Sequence, residues 1–245
     1  MENQALIYDD QCPLCRWYSG QFVKHGLLEK RLPFSALGEG QPVCNIDWDR
    51  SRHEIPLHDF ANGRTHYGLD SLIHLLGKRI PLIAWGAKLP PVYWFFRQLY
   101  SLVSYNRRVI IPTPPAATGF DCAPDFHLGY RSAFLGLAWG VAISIGYGLA
   151  QVSGHTAWMA WMGLGTVVAQ ASALALPGRR GIALAGQLAS SLLVATLALL
   201  PFIALIHWIG AGKSLIFGVA VGVGWLVFSA QLEWRLNKLA GHLGQ

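Results

Sequence analysis

Charge is scarce in this chain, and acidic charge almost disappears from its second half. Only 13% of the 245 residues are Asp, Glu, Lys or Arg, where soluble domains carry about 25%. Residues 1–130 hold 13 Lys+Arg and 12 Asp+Glu, a net of +1, and residues 131–245 hold 6 and 1, a net of +5. With a mean hydropathy of +0.35, this argues against a wholly soluble protein. The asymmetry reads as a soluble head followed by a membrane domain. No basic-aromatic stripe accompanies the pI of about 9.3, so the positive charge is a topology signal and no nucleic-acid partner is expected. A signal peptide is also missing: the N-terminus has no basic segment, and Asp9 and Asp10 interrupt its apolar run. The head is therefore expected to stay on the side where it is made. Four cysteines in a reducing cytosol do not form a disulfide scaffold. Zinc needs about four ligands, and there is no second Cys-x-x-Cys; Cys44 and Cys122 read as lone thiols. The scattered His25, His53, His58 and His66 read as surface or core residues.

What is present is concentrated in one stretch, Ala5-Leu6-Ile7-Tyr8-Asp9-Asp10-Gln11-Cys12-Pro13-Leu14-Cys15. Ala5–Tyr8 reads as a strand and Arg16–Lys24 as a helix. Strand, tight turn and Cys-x-x-Cys at a helix start is an arrangement suited to redox chemistry. The first thiol meets free N–H groups and the positive end of the helix dipole, which favour thiolate. The second lies one turn on, close enough to resolve a mixed disulfide. Alternatives are a metal pair or an inert pair. Asp9 reads either as a cap of the helix or as a proton acceptor.

Tyr8-Asp9-x-x-Cys12-Pro13-Leu14-Cys15 resembles the signature of the DCC thiol-disulfide oxidoreductases, named for Asp-x-x-Cys-x-x-Cys. Asn62-Gly63-Arg64 with Tyr67-Gly68, and Leu99-Tyr100 with Asn106-Arg107, extend the resemblance over about the first half of the chain. The family usually has Gly after the motif Asp; here Asp10 adds a carboxylate that opposes thiolate formation at Cys12.

Downstream, Leu32–Leu37 reads as a short strand or extended segment, Gly38–Asn45 as a loop, and Asp47–Arg52 as a turn or short helix. Leu57 onward and Arg64–Tyr67 read as a hairpin turning at Asn62-Gly63, followed by a packed helix over Leu69–Leu76. This order is similar to the second half of a thioredoxin fold. The resemblance makes Pro56 a cis-proline facing the cysteines; the alternative is an ordinary trans proline at a strand start. Thioredoxins also bury an acid six residues before the first cysteine, and Leu6 stands there, so a proton acceptor should be Asp9 or Asp10. Ile80–Tyr105 is apolar and carries Trp85, Tyr93, Trp94, Phe95 and Phe96. It reads as helices lying on a membrane surface or as core helices. Pro112–Pro124 is the expected linker.

Four later runs, about 134–152, 157–176, 182–208 and 215–231, approach or exceed the roughly 20 residues a bilayer needs; Pro201 should kink the third. Arg131, Arg179, Arg180, Arg235 and Lys238 fall on one side of such a bundle, which places both termini in the cytoplasm. Gly136 and Gly140, and Gly218 and Gly222, have the spacing of close helix packing. Gln170 and Gln187 read as helix-bridging hydrogen bonds or as a small-molecule or quinone site. No cysteine lies in a span or an outer loop, which argues against a thiol relay across the bilayer and against a quinone-coupled disulfide oxidase. Haem ligation has only His207 near a span end.

The expected architecture is an α/β thioredoxin-like domain over 1–111, a linker over 112–130, and an all-α transmembrane four-helix domain over 131–245, in the inner (cell) membrane. Cys12, exposed at the helix start, attacks; Cys15 resolves; Asp9 or Asp10 moves the proton; Pro56 positions the partner's backbone. Partners are protein or small thiols and disulfides, the lipid bilayer, and a further membrane protein, with no cofactor and no metal. The alternative is a membrane-domain transport or scaffold protein with the head as a docking or redox-sensing module.

Overall fold

The computed structural model describes residues 3–37, 46–113, 122–209 and 212–240; Cys44 lies outside them. The chain divides into two compact units, Met1–Tyr130 and Arg131–Gln245.

The first unit is built on a four-stranded mixed sheet of β1 (Gln4–Tyr8), β2 (Lys30–Pro33), β3 (Pro56–Asp59) and β4 (Arg64–Tyr67), in the order β2-β1-β3-β4. β1 runs parallel to β2 and antiparallel to β3, and β3 pairs antiparallel with β4. Ala5, Leu6 and Ile7 have no exposed surface, so β1 is covered on both faces, which is why its sequence is continuously apolar. Successive side chains point to opposite faces. Leu6 packs with Leu28, Ile55, Leu57 and Leu75, and Ile7 with Phe34, Ile46 and Cys122.

The helices are α1 (Pro13–Lys24), α2 (Trp48–Ser51), α3 (Gly68–Arg79), α4 (Pro81–Ala87) and α5 (Pro90–Ile110). α1 begins three residues before the expected Arg16, because Pro13 fits the first helical position, where no N–H is needed. The extended segment after β2 ends early, in a 3-10 turn over Phe34–Ala36. The hairpin loop spans four residues, since Asp59 pairs with Arg64. Asp59 organises it by accepting from Ala61 N–H (2.9 Å) and Asn62 Nδ2 (3.2 Å), and Gly63 supplies the positive φ of 66°.

The second unit contains α6 (Leu128–Ser153, whose first turn belongs to the first unit), α7 (Ala157–Leu174), α8 (Arg179–Leu197), α9 (Leu200–Ile209) and α10 (Lys213–Ala240). Among the described residues three helical stretches, Leu128–Ser153, Arg179–Ile209 and Lys213–Lys238, are long and apolar enough to cross a membrane. The second expected run forms α7, which at 18 residues, with Thr166, Gln170 and Ser172, is not among them. The third run breaks at Ala198-Leu199, where Pro201 cannot donate to the carbonyl four residues back. Gln187 and Arg235 are buried, and Arg235 Nη1 donates to Gln187 Oε1 at 3.0 Å, joining α8 to α10; Gln170 is buried in α7.

Gly136, Gly140, Gly218 and Gly222 face open space, so among the described residues their spacing packs no helices together. Gly181 does: a Cβ there would lie 2.5 Å from the Leu176 carbonyl oxygen and 2.7 Å from that of Ala173. Gly181→Ala should lower the stability of the full chain by about 1–3 kcal/mol, the usual penalty of overpacking. Gly136→Ala should leave it unchanged. Tryptophan-fluorescence melts in detergent compare the two, and equal midpoints would refute the close approach.

Candidate active site

The turn between β1 and α1 is held by Asp9. Its Oδ1 accepts from the N–H groups of Gln11 (3.0 Å) and Cys12 (3.2 Å), the local bonding that short acids make to backbone two and three residues on. Cys12 is thereby fixed as the N-cap of α1, in extended conformation, and its Sγ accepts from Cys15 N–H at 3.4 Å. The sulfurs of Cys12 and Cys15 and a carboxylate oxygen of Asp9 all lie within 4.8 Å of one another. Both cysteines are free thiols.

The expected exposed thiol is instead enclosed: Cys12 is 1% and Cys15 3% exposed. The reason is α5, which brings Arg107 across the turn. Arg107 Nη2 donates to Asp9 Oδ2 at 3.4 Å and to the Cys122 carbonyl oxygen. The three partners are all buried. Asp10 points elsewhere, its Oδ1 accepting from Ser35 N–H at 3.4 Å, so the carboxylate that opposes the thiolate is Asp9. Pro56 is buried as the first residue of β3, paired with Tyr67. Every peptide bond among the described residues is trans, so the cis expectation for Pro56 is not met. Cys122 is buried and packed in the core.

The two thiols are driven apart in acidity. Cys12 is lowered to about 7, first by its hydrogen bonding with Cys15 and further by the Arg107 charge, against burial and the Asp9 charge. Cys15 is raised well above the ordinary thiol value, first by its bond to the Cys12 sulfur and then by burial. Burial also raises the phenols of Tyr18 and Tyr100. A cavity of about 370 Å³ runs up to this centre, with Cys15, Tyr18, Tyr100 and Arg107 in its wall and Phe96, Leu99 and Val103 from α5 also lining it. The pair therefore offers a nucleophilic thiolate at Cys12 and a protonated reserve thiol at Cys15, which is the division of labour that thiol exchange needs.

Arg107 is the residue that reading for chemistry missed. Tyr100, Ser104 and Arg107 stand at i, i+4 and i+7 on one face of a helix, and a cation recurring on an otherwise inward face was the available signal. Tyr100 Oη accepts from Ile55 N–H at 3.0 Å, and Ser104 Oγ donates to the His53 carbonyl oxygen. These bonds seat α5 at the entry to β3 and so aim Arg107.

This geometry defines a pair of closely spaced, buried thiols beside one carboxylate and one arginine. Residues 6–111 match the family model of the DCC1-like thiol-disulfide oxidoreductases. No curated protein and no solved structure matches the chain.

Proposed function

We propose that the chain is a membrane-anchored thiol-disulfide oxidoreductase with a thioredoxin-like head, working through Cys12 and Cys15 on the cytoplasmic face of the inner (cell) membrane. The observation that carries this is the opposed acidity of two thiols held against one carboxylate and one arginine. The strand order, with its parallel β1–β2 pair and antiparallel β3–β4 hairpin, supports the thioredoxin-like reading. The three long apolar helices support the anchor.

In the forward direction the Cys12 thiolate attacks one sulfur of a disulfide R–S–S–R′. The Cys12–S–S–R bond forms and R′–S⁻ leaves. Cys15 gives its proton to Asp9, and its sulfur attacks Cys12 Sγ. The Cys12–Cys15 disulfide forms and R–S⁻ leaves, so two electrons have passed from the pair to the partner. A cellular dithiol reverses the closure. Proteins or small thiols are both partners for this step, and no cofactor takes part in it.

A redox titration of the full chain, read by thiol alkylation and mass shift, tests the proposal. Cys12 and Cys15 should close at a defined potential, with Cys12 alkylating faster at neutral pH. A pair that never closes would move the function to the membrane helices, where Gln187 already has a structural partner in Arg235.

A further inference from the structure

The stretch Ile80–Tyr105 reads from sequence as core helices or as helices on a membrane, and exposure separates the two. Leu82 and Trp85 of α4 are 74% and 67% exposed, and Trp94 and Phe95 of α5 are 64% and 56% exposed. A core helix does not present such side chains to water, and an apolar surface of this kind marks an interaction site. The C-terminal half of α5 is spent on the head: Ser104, Asn106, Arg107 and Val109 are buried.

Two further observations say what covers the exposed face. Between Asp70 and Asp121 the sequence contains no acidic residue and six basic ones, Lys78, Arg79, Lys88, Arg97, Arg107 and Arg108. Lys88 and Arg97 are exposed beside the aromatic residues. A surface combining aromatic rings with cations is complementary to the headgroups of an anionic bilayer; the acid beside it, Asp70, is engaged by the Tyr93 hydroxyl at 3.1 Å. In addition, α5 is bonded to Tyr130, the last residue of the first unit, from which the chain continues in a helix long and apolar enough to cross a membrane. Tyr130, in the first turn of α6, donates its hydroxyl to Gln98 Oε1 at 3.0 Å, and its carbonyl accepts from Asn106 Nδ2 at 2.9 Å.

We propose that α4 and the N-terminal half of α5 form an interfacial element lying in the headgroup layer of an anionic membrane. Leu82, Trp85, Trp94 and Phe95 enter the boundary with the acyl chains. Lys88 and Arg97 extend their charged ends to the lipid phosphates while their aliphatic stems stay on the apolar side. This inference is independent of the thiol chemistry.

Full-length protein with p-benzoylphenylalanine in place of Phe95, or separately of Trp85, is reconstituted in nanodiscs of phosphatidylcholine and phosphatidylglycerol and irradiated. The expected result is a mass gain of one phospholipid at both positions, and none when the same residue replaces Asn62 on the exposed hairpin loop. Lys88→Gln combined with Arg97→Gln should reduce the lipid adduct several-fold in these discs and leave it unchanged in phosphatidylcholine alone. Cross-links from both positions into residues 131–245 or into a second chain would overturn the inference, as would no adduct at all. Adduct yields indifferent to the two charges would overturn its anionic preference. The Cys12-to-Cys15 alkylation ratio in the same samples reports that the head is folded.

Discussion

Cys12→Ser should abolish disulfide exchange, whereas Cys15→Ser should leave a protein that captures its partner and cannot release it. The expectation follows from the split in acidity. With its thiol lowered from 9.0 to about 7, Cys12 is about half thiolate at neutral pH, roughly fifty times the fraction of an unperturbed thiol. A more acidic thiol is also intrinsically less nucleophilic, with a Brønsted slope of about 0.4–0.5, which leaves a net advantage of about five- to eightfold for equal access. Cys15, raised and buried, contributes little thiolate of its own and acts only once a mixed disulfide stands beside it. Non-reducing gels and intact mass should show the trapped adduct in Cys15→Ser alone. The sign of the pH effect is fixed as well. Protonation removes the nucleophile, so Cys12 alkylation should rise with a midpoint near 7 and fall about tenfold per pH unit below it. A midpoint near 9 would contradict the site geometry.

Arg107→Met should have the second large effect, and it should act on two quantities at once. The guanidinium is 8% exposed and Asp9 6% exposed. Removing the cation takes the Arg107 N–H from the buried Asp9 Oδ2 and from the Cys122 carbonyl and leaves the Asp9 charge without its counter-ion. Breaking one partner of a buried pair costs about 3–5 kcal/mol, a large share of the 5–15 kcal/mol that holds an ordinary domain. The same substitution removes a charge that lowers the Cys12 thiol, so the alkylation midpoint should move upward. Arg107→Lys keeps a cation and should restore part of the midpoint shift, while its compact, strongly hydrated ammonium should restore less of the stability. Thermal melts of the full chain and the pH profile of alkylation measure the two effects separately. A variant as stable as the parent, with an unmoved midpoint, would show the Asp9–Arg107 contact to be incidental.

The part of this molecule legible in the sequence is the part fixed by local chemistry. Ala5–Tyr8 followed by Asp9, Cys12, Pro13 and Cys15 specifies a strand, a turn and a capped helix, because each bond there spans no more than three residues. The hairpin at Asn62-Gly63 and the apolar helices are legible for the same reason. The departures come from contacts distant in sequence. Arg107 reaches Asp9 across 98 positions, and no periodicity reveals that meeting. Asp10, adjacent to the motif and equally acidic on paper, is drawn to the Ser35 N–H 25 positions away. Cys12 is enclosed rather than exposed because of where α5 lies, which is again a tertiary fact. In the second unit the apolar runs are plain to read. Their close contacts fall at Gly146 and Gly181 rather than at the evenly spaced glycines, since spacing along one helix does not say which face meets a neighbour.

The near-complete enclosure of the two sulfurs, 1% and 3% exposed, separates reactivity from availability. A thiol in this position reacts only in the fraction of molecules that have transiently opened, so its observed rate is an opening equilibrium multiplied by an intrinsic rate. At low reagent concentration that product scales with the reagent. At high concentration it levels off at the frequency of opening, whatever the reagent's own speed. Stray oxidants therefore meet a latent thiolate behind a conformational gate, and a partner whose binding holds the gate open gains the full intrinsic rate. Selectivity in such a design is kinetic, and it resides in the gate rather than in the sulfur.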